Sequence, residues 1–159
     1  MAELHEVVET RLPLERAFEF IADFSNSERW DPGTAWSRPV GAPRPAVGTA
    51  YELGVRMGRR VAKMEYRIVE LQPNSRVVLK GSGSNVEATD DIRFERTPAG
   101  TRIDYRADIR LTGMLRLVSP FAGGAFAKIG RDARDGMQAT LDALADGEPS
   151  PSAPNIASS

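Results

Sequence analysis

One carboxylate and three tyrosines are the residues of this chain best placed to do chemistry. Asp90 falls on the inward parity of a predicted strand, A-T-D-D-I-R-F, among apolar neighbours. Burial there would raise the pKa of its carboxyl group, so that it could act as a general acid or base on an enolisable ligand. The alternative is a structural Asp90, paired with an arginine or a tyrosine, or hydrated near the mouth of the sheet.

The tyrosines Tyr51, Tyr66 and Tyr105 also fall on inward positions, where a hydroxyl could hold the carbonyl group of a ligand. Together with Asp90, Tyr66 and Tyr105 form the candidate catalytic set. The alternative is that the three rings belong to the core and that their hydroxyls have partners within the protein. Glu70 shares the inward parity, unless a bulge near the end of its strand turns it outward.

The composition excludes several other chemistries. The chain has no cysteine and a single histidine, His5, so we expect no disulfide, no metal site and no cofactor held by such residues. We expect His5 to be exposed at an edge. A formal net charge of -1 argues against nucleic acid as a partner. No apolar run approaches the roughly 20 residues of a membrane helix, and the charged N-terminus does not resemble a signal peptide, so we expect a cytoplasmic protein without stable membrane insertion.

The elements that would position these residues can be read from periodicity. Leu4 to Arg11 predicts a first strand, and Pro13 marks the start of an amphipathic helix. Asn26 to Asp31 predicts a second short helix. From Trp36 to Leu111 the pattern alternates with period two and is broken by short turns, which predicts about six further antiparallel strands.

The charges predict the register of the last two hairpins. With Thr97 to Gly100 as a four-residue loop, every outward pair joins opposite charges. These pairs are Glu95 with Arg102, Arg93 with Asp104, Asp91 with Arg106, and Glu87 with Arg110. The same register points Asp90 and Ala107 inward together. A two-residue turn at Gly83-Ser84 would add the pairs Leu79 with Ala88, Lys80 with Glu87, and Arg76 with Asp91.

The region after Leu111 returns to helical spacing. It predicts a short helix or a kink, followed by a long helix from about Ala125 to Ala145 that covers the inner face of the sheet. The apolar stripe of this region begins at Met114, and the solvated face of the long helix would carry Arg131, Asp132, Arg134 and Asp135.

A pocket is expected on the inner face around Asp90. Small residues surround it there, namely Gly81, Ala88 and Ala107, and the long helix also offers many small residues. Small residues that face one another leave space between them. The alternative is that Phe121, Phe126 or Met137 fills the space.

The residues predicted to contact a ligand are spread over the sheet and the helices. They are Phe18, Trp30, Tyr51, Leu53, Met64, Leu79, Ala88, Ile92, Ala107, Phe121, Ile129 and Met137. Trp30 and Trp36 flank one loop and either guard the mouth of the pocket or cover the edge of the sheet.

The sequence resembles the SRPBCC (START-like, helix-grip) superfamily, in particular its polyketide cyclase/dehydrase-like members. The resemblance spans about residues 4–146. It rests on V-V-E-T-R-L-P-L-E-R-A-F-E-F-I-A-D, S-E-R-W-D-P-G and Y-R-I-V-E-L-Q-P-N-S-R-V-V-L, followed by the long final helix. These are fold motifs without a catalytic signature. The resemblance implies a deep cavity for lipids, sterols, polyketides or other apolar ligands, in proteins that include both enzymes and carriers.

The predicted fold class is α+β: a curved antiparallel sheet of about seven strands wrapped around a long C-terminal helix, with two short helices after the first strand. Residues 1–146 are expected to form one domain and residues 147–159 a disordered tail. We expect a monomer or homodimer that binds a small hydrophobic molecule, as a cofactor-free cyclase or dehydratase or as a binding protein without catalysis. The alternative is a lipid carrier or a protein-interaction module of the same fold.

Overall fold

The fold is a seven-stranded antiparallel sheet that curves around a long helix. A computed structural model describes residues 2–41, 44–114 and 123–147 of the chain. The strands run in the order β1-β7-β6-β5-β4-β3-β2. They are β1 (Ala2–Thr10), β2 (Thr34–Val40), β3 (Ala50–Met57), β4 (Arg60–Gln72), β5 (Arg76–Ser82), β6 (Val86–Thr97) and β7 (Gly100–Leu111). The architecture is α+β and of the helix-grip type, as predicted.

The helices lie in two places along the chain. Helix α1 (Leu14–Ala22), a 3₁₀ turn (Phe24–Asn26) and helix α2 (Ser27–Trp30) connect β1 to β2, and helix α3 (Gly123–Ala145) follows the sheet. Pro13 precedes α1, whose buried face recurs at helical spacing as the sequence predicts. The long helix begins at Gly123, two residues before the predicted Ala125. Residues 115–122 of the predicted short helix or kink, with the predicted contact of Phe121, and almost all of the predicted tail lie outside the described residues.

The last hairpin has the register that the charges predict. Glu95 pairs with Arg102, Asp91 with Arg106, and Asp90 with Ala107. Because a slip of one residue would turn these charges into the core, the alternation specifies the pairing strongly.

The preceding hairpin differs from the prediction by two residues. Leu79 pairs with Asp90 and Ser82 with Glu87, so the predicted register, with Leu79 opposite Ala88, Lys80 opposite Glu87 and Arg76 opposite Asp91, is wrong. The predicted ion pair of Arg76 with Asp91 still forms, as a diagonal contact across the two strands. A II′ turn at Gly83 would require a positive φ, which this glycine does not have. Instead the Gly83 N–H donates to the Val86 carbonyl at 2.8 Å, and a Cβ on Gly83 would lie 3.2 Å from the backbone of β4. A slip of two residues preserves the faces, so Asp90 still points inward.

Helix α3 contacts mainly β1, at one edge of the sheet, and α2, which itself packs on β2 at the opposite edge. Gly136 allows the closest approach, because a Cβ there would lie 2.1 Å from the carbonyl oxygen of Trp30. The Thr140 hydroxyl donates to the carbonyl of Arg29 at 3.0 Å, and the Thr10 hydroxyl donates to Asp142 at 2.7 Å. Helix α3 thus stands away from the middle strands of the sheet, and space remains between them.

The core is one cluster of buried residues between the inner face of the sheet and the helices. Met137 and Leu141 of α3 are fully buried, whereas Met114, predicted to share their stripe, is 81% exposed. Within the described residues no helix is both long enough and apolar enough to cross a bilayer.

Candidate functional site

A cavity of about 120 Å3 lies between α3, α2 and the inner face of the sheet. Most of its wall is apolar, and the sheet supplies Leu53, Val55, Ala88, Ala107 and Ile109. The position is the one expected from the small residues around Asp90. The volume is below the several hundred Å3 of sites for drug-sized molecules, and comparable to a cavity that takes up one benzene ring.

The space beside Gly81, where the pocket was expected to extend, is filled by another side chain. A Cβ on Gly81 would lie 2.6 Å from the ring of Tyr66, so this ring occupies the space that the missing side chain leaves. Tyr66 pairs directly with Gly81 across the two strands. Of the residues around which the pocket was expected, Ala88, Asp90 and Ala107 therefore border the open space, and the Tyr66 ring forms another part of the wall.

Asp90 lies in this wall and is 4% exposed. The Tyr105 hydroxyl donates a hydrogen bond of 2.6 Å to one of its carboxylate oxygens. Burial raises the pKa of Asp90 to about 7, although the Tyr105 hydrogen bond works in the opposite direction. Near neutral pH the group is thus present in both protonation states, as a general acid or base requires.

A second carboxylate, Asp31, lies in the same wall and was missed by the sequence analysis. Its oxygens accept hydrogen bonds from the Gly33 N–H at 2.8 Å and from the Thr34 hydroxyl at 3.1 Å. Burial raises the pKa of Asp31, and its charge also helps to raise the pKa of Asp90. The D-P-G-T segment could have revealed this Asx turn, but the position of α2 over the sheet has no local signal.

The two tyrosines of the wall are in their neutral, proton-donating form. Burial raises the pKa of Tyr66 and of Tyr105 well above the usual value, and the nearby charge of Asp90 adds to both shifts. Tyr105 is bonded to Asp90, whereas the Tyr66 hydroxyl makes no hydrogen bond to the described part of the chain. Ser27 and Trp30 also belong to the wall, and their Oγ and Nε1 atoms are buried without a partner among the described residues.

An ion pair joins α3 to β1 beside the cavity. Arg134 Nη1 lies 3.3 Å from Glu6 Oε2, and both residues line the space. The prediction that Arg134 belongs to the solvated face of the helix is therefore wrong, because its side chain turns toward β1. Ile129 is in the wall and also 42% exposed, which places the mouth of the cavity at this end of α3.

The predicted contact residues divide into two groups. Those that line the cavity are Trp30, Leu53, Tyr66, Ala88, Asp90, Tyr105, Ala107, Ile129 and Met137. Those that are buried in the core outside it are Phe18, Tyr51, Met64, Leu79 and Ile92. The first strand and the first half of α3 supply wall residues that the sequence analysis did not name, namely Leu4, Glu6, Val8, Gly130, Ala133 and Arg134.

The remaining candidates lie away from the cavity. Trp36 lies on the edge strand β2 and packs over Gly54 of β3 on the outer face of the sheet. Trp30 is 3% exposed and forms part of the wall of the cavity. A bulge between Ile68 and Glu70 turns Glu70 outward to Arg76. His5 is exposed and bonded to Asp104. Among the described residues, no three side chains of the types that bind metals come together.

Removal of the Tyr105 hydroxyl and removal of the Asp31 charge should shift the pKa of Asp90 in opposite directions. Tyr105→Phe removes the hydrogen bond that favours the carboxylate, so the pKa of Asp90 should rise further above about 7. Asp31→Asn removes a neighbouring negative charge, so the same pKa should fall. A 13C NMR titration of the Asp90 carboxyl carbon measures both. Shifts of the same sign in the two variants would contradict this account of the site.

Solved structures with the same fold have low sequence identity to this chain. The ZhuI aromatase/cyclase from Streptomyces sp. R1128 is 12% identical, with 90% of this chain and 94% of that chain covered and a TM-score of 0.71. Protein CV1439 from Chromobacterium violaceum is 12% identical, with 89% and 99% covered and a TM-score of 0.63. TTHA0849 from Thermus thermophilus is 14% identical, with 85% and 96% covered and a TM-score of 0.62.

No curated protein matches the chain in sequence at a significant level. One family does, over residues 1–146 of the 159, which takes in every described strand and helix. Its description is "Polyketide cyclase / dehydrase and lipid transport". The chain belongs to this family.

Proposed function

We propose that the protein binds a small apolar molecule with one carbonyl or hydroxyl group in the cavity between α3 and the sheet. The observation that carries the proposal is the wall itself, in which the Asp90–Tyr105 pair stands among apolar side chains. Apolar surface would supply the affinity, and the few polar groups would orient the ligand. The buried, unpartnered Ser27 Oγ and Trp30 Nε1 add polar atoms that a ligand could satisfy.

The volume narrows the class of ligand. A space of about 120 Å3 suits a molecule with a single ring, and a longer ligand would extend past Ile129 toward the surface. Both descriptions fit the family, whose name includes polyketide cyclases and lipid transport. Asp31 and Asp90 disfavour an anionic ligand, so we propose a neutral one.

Acetophenone and ethylbenzene form a matched pair of probes, since they differ in the carbonyl oxygen. In ligand-observed NMR both should bind, and acetophenone should bind more tightly. Ala107→Leu places extra carbon atoms in the cavity and should weaken binding at least about tenfold. Thr89→Leu adds bulk to the neighbouring strand on the opposite face of the sheet, so it should leave binding unchanged.

The same experiment can reject the proposal. If neither probe binds, or if Thr89→Leu weakens binding as much as Ala107→Leu does, the cavity is not the ligand site. Native mass spectrometry of the freshly purified protein provides an independent check, since a retained apolar metabolite should be lost in Ala107→Leu.

We propose proton transfer as a second function of the site, because the pKa of about 7 suits Asp90 to give and to take a proton. The Asp90 carboxylate would remove a proton from the carbon next to a ligand carbonyl. A wall tyrosine would donate a hydrogen bond to the enolate oxygen, and Asp90 would return the proton to the carbon. This chemistry needs no cofactor and is of the kind used in cyclisation and dehydration.

Deuterium exchange separates the catalytic role from binding alone. In D2O the methyl protons of acetophenone should exchange faster with the protein than in buffer, and Asp90→Asn should slow the exchange by about 10²–10⁴-fold. If acetophenone binds but its methyl protons exchange no faster than in buffer, the catalytic proposal is wrong and the protein binds its ligand without catalysis.

A further inference from the structure

The β3–β4 hairpin extends beyond its neighbours in the sheet. On one side β2 begins at Thr34, opposite Val55, and on the other side β5 ends at Ser82, opposite Glu65. The Arg56 N–H still donates to the Gly33 carbonyl at 2.8 Å, and residues 57–63 lie past the last paired residues of both adjacent strands. Residues 56–63 are called the hairpin tip below. The tip turns at Gly58, which has a φ of +62°.

The hairpin tip is strongly basic, although the whole chain has a net charge of -1. It contains four cations and no acidic residue in the segment R-M-G-R-R-V-A-K. Lys63 lies 3.3 Å from Glu52, and Arg56 donates to the carbonyl of Pro32. Arg59 and Arg60 are exposed and make no ion pair with the described residues, unlike most arginines of this sheet.

The tip also exposes apolar side chains between these cations. Met57 is 36% exposed and Val61 is 50% exposed, and residues 56–61 form one continuous exposed run. Exposed apolar groups interleaved with arginines on a protruding turn have the composition of a segment that enters the headgroup region of a membrane. A nucleic acid would match the cations only, leaving Met57 and Val61 without a role.

We propose that the hairpin tip docks the protein reversibly on an anionic lipid bilayer. Arg56, Arg59 and Arg60 would contact the anionic headgroups, while Met57 and Val61 would enter the interface. The attraction is local and so compatible with a chain that is nearly neutral overall. The inference rests on the hairpin alone and does not require that the cavity bind a ligand.

Vesicle co-sedimentation tests the proposal with the full-length protein. Vesicles that contain phosphatidylglycerol in phosphatidylcholine should bind it at low salt, vesicles of phosphatidylcholine alone should not, and added NaCl should weaken the binding. Arg59→Glu with Arg60→Glu should lower the affinity at least about tenfold. Met57→Ser with Val61→Ser should lower it several-fold and leave the salt dependence unchanged.

Two controls make the result decisive. The double substitution Arg44→Glu with Lys80→Glu changes the net charge by the same amount as Arg59→Glu with Arg60→Glu. Arg44 lies in the β2–β3 loop, at the end of β3 opposite the hairpin tip. This variant should bind the vesicles about as tightly as the natural chain. A loss of vesicle affinity as large as that caused by Arg59→Glu with Arg60→Glu would overturn the proposal. So would tighter binding to duplex DNA than to the anionic vesicles with no effect of the Met57 and Val61 substitutions, which would indicate a nucleic acid as the partner.

Discussion

Asp90→Asn is expected to make the protein more stable than the natural chain at pH 8, and to leave its stability near pH 4 almost unchanged. The pKa of Asp90 is raised from 3.8 to about 7 by burial. Between these values the folded state keeps a proton that the unfolded state has released, so stability falls as the pH rises. The rise from 3.8 to about 7 corresponds to a loss of about 4 kcal/mol in the free energy of unfolding, complete slightly above pH 7. Asparagine carries no such charge and still accepts the Tyr105 hydrogen bond.

The neighbouring Asp91 provides the matched control. It lies on the outer face, where Arg76 donates hydrogen bonds of 2.9 and 2.8 Å to its carboxylate and lowers its pKa. Asp91→Asn should therefore destabilise the protein at neutral pH, and the effect should disappear as the pH falls through the lowered pKa. Urea unfolding between about pH 2 and pH 8 measures both variants, because the lowered pKa of Asp91 lies below its usual value of 3.8. Parallel stability curves for Asp90→Asn and the natural chain would contradict a buried, titrating Asp90.

Gly136→Ala is expected to destabilise the protein by about 3 kcal/mol, because the added Cβ meets backbone instead of a movable side chain. It would lie 2.1 Å from the carbonyl oxygen of Trp30, so α3 and α2 would have to separate. Since Trp30 and Met137 both line the cavity, that separation should also weaken ligand binding.

Gly130→Ala is the control on the same helix. A Cβ there would lie 3.3 Å from Glu6 Oε1 and 3.4 Å from Leu4 Cδ2, which are ends of flexible side chains. Alanine also favours a helix over glycine by about 1 kcal/mol. We expect Gly130→Ala to be neutral or slightly stabilising in urea unfolding. Equal losses in the two variants would show that the approach of α3 to Trp30 is not the limiting contact.

The fold could be predicted largely because local signals agree with one another. Alternation, turn residues and opposite charges across β6 and β7 lead to one register, and that register is enough to point Asp90 inward. The β5–β6 pairing differs from the prediction because Gly83 lies before the turn, where its N–H donates to the Val86 carbonyl. Glycine here serves close packing against β4, and packing of that kind leaves no trace in the local pattern.

The cavity was predictable only in part, for a geometric reason. Strand parity identifies which residues face inward, and it found Ala88, Asp90 and Ala107. It does not show where a helix lies over that face. Because α3 packs on β1 and α2, residues such as Glu6 and Asp31 reach the cavity, while other inward residues of β5 and β6 are covered by the core. The packing of α3 on distant parts of the chain determines which inward residues line the cavity, and local sequence patterns do not reveal that packing.

The pairing of Tyr66 with Gly81 makes the size of the binding space depend jointly on the side chains at two positions. A small side chain at 66 would open the inner face above Gly81 and lengthen the cavity along β5. A larger residue at 81 would push the ring toward Asp90 and shorten it. Relatives with this fold could therefore change the length of the molecule they accept by exchanging bulk between two adjacent strands, while the acid–tyrosine pair stays in place.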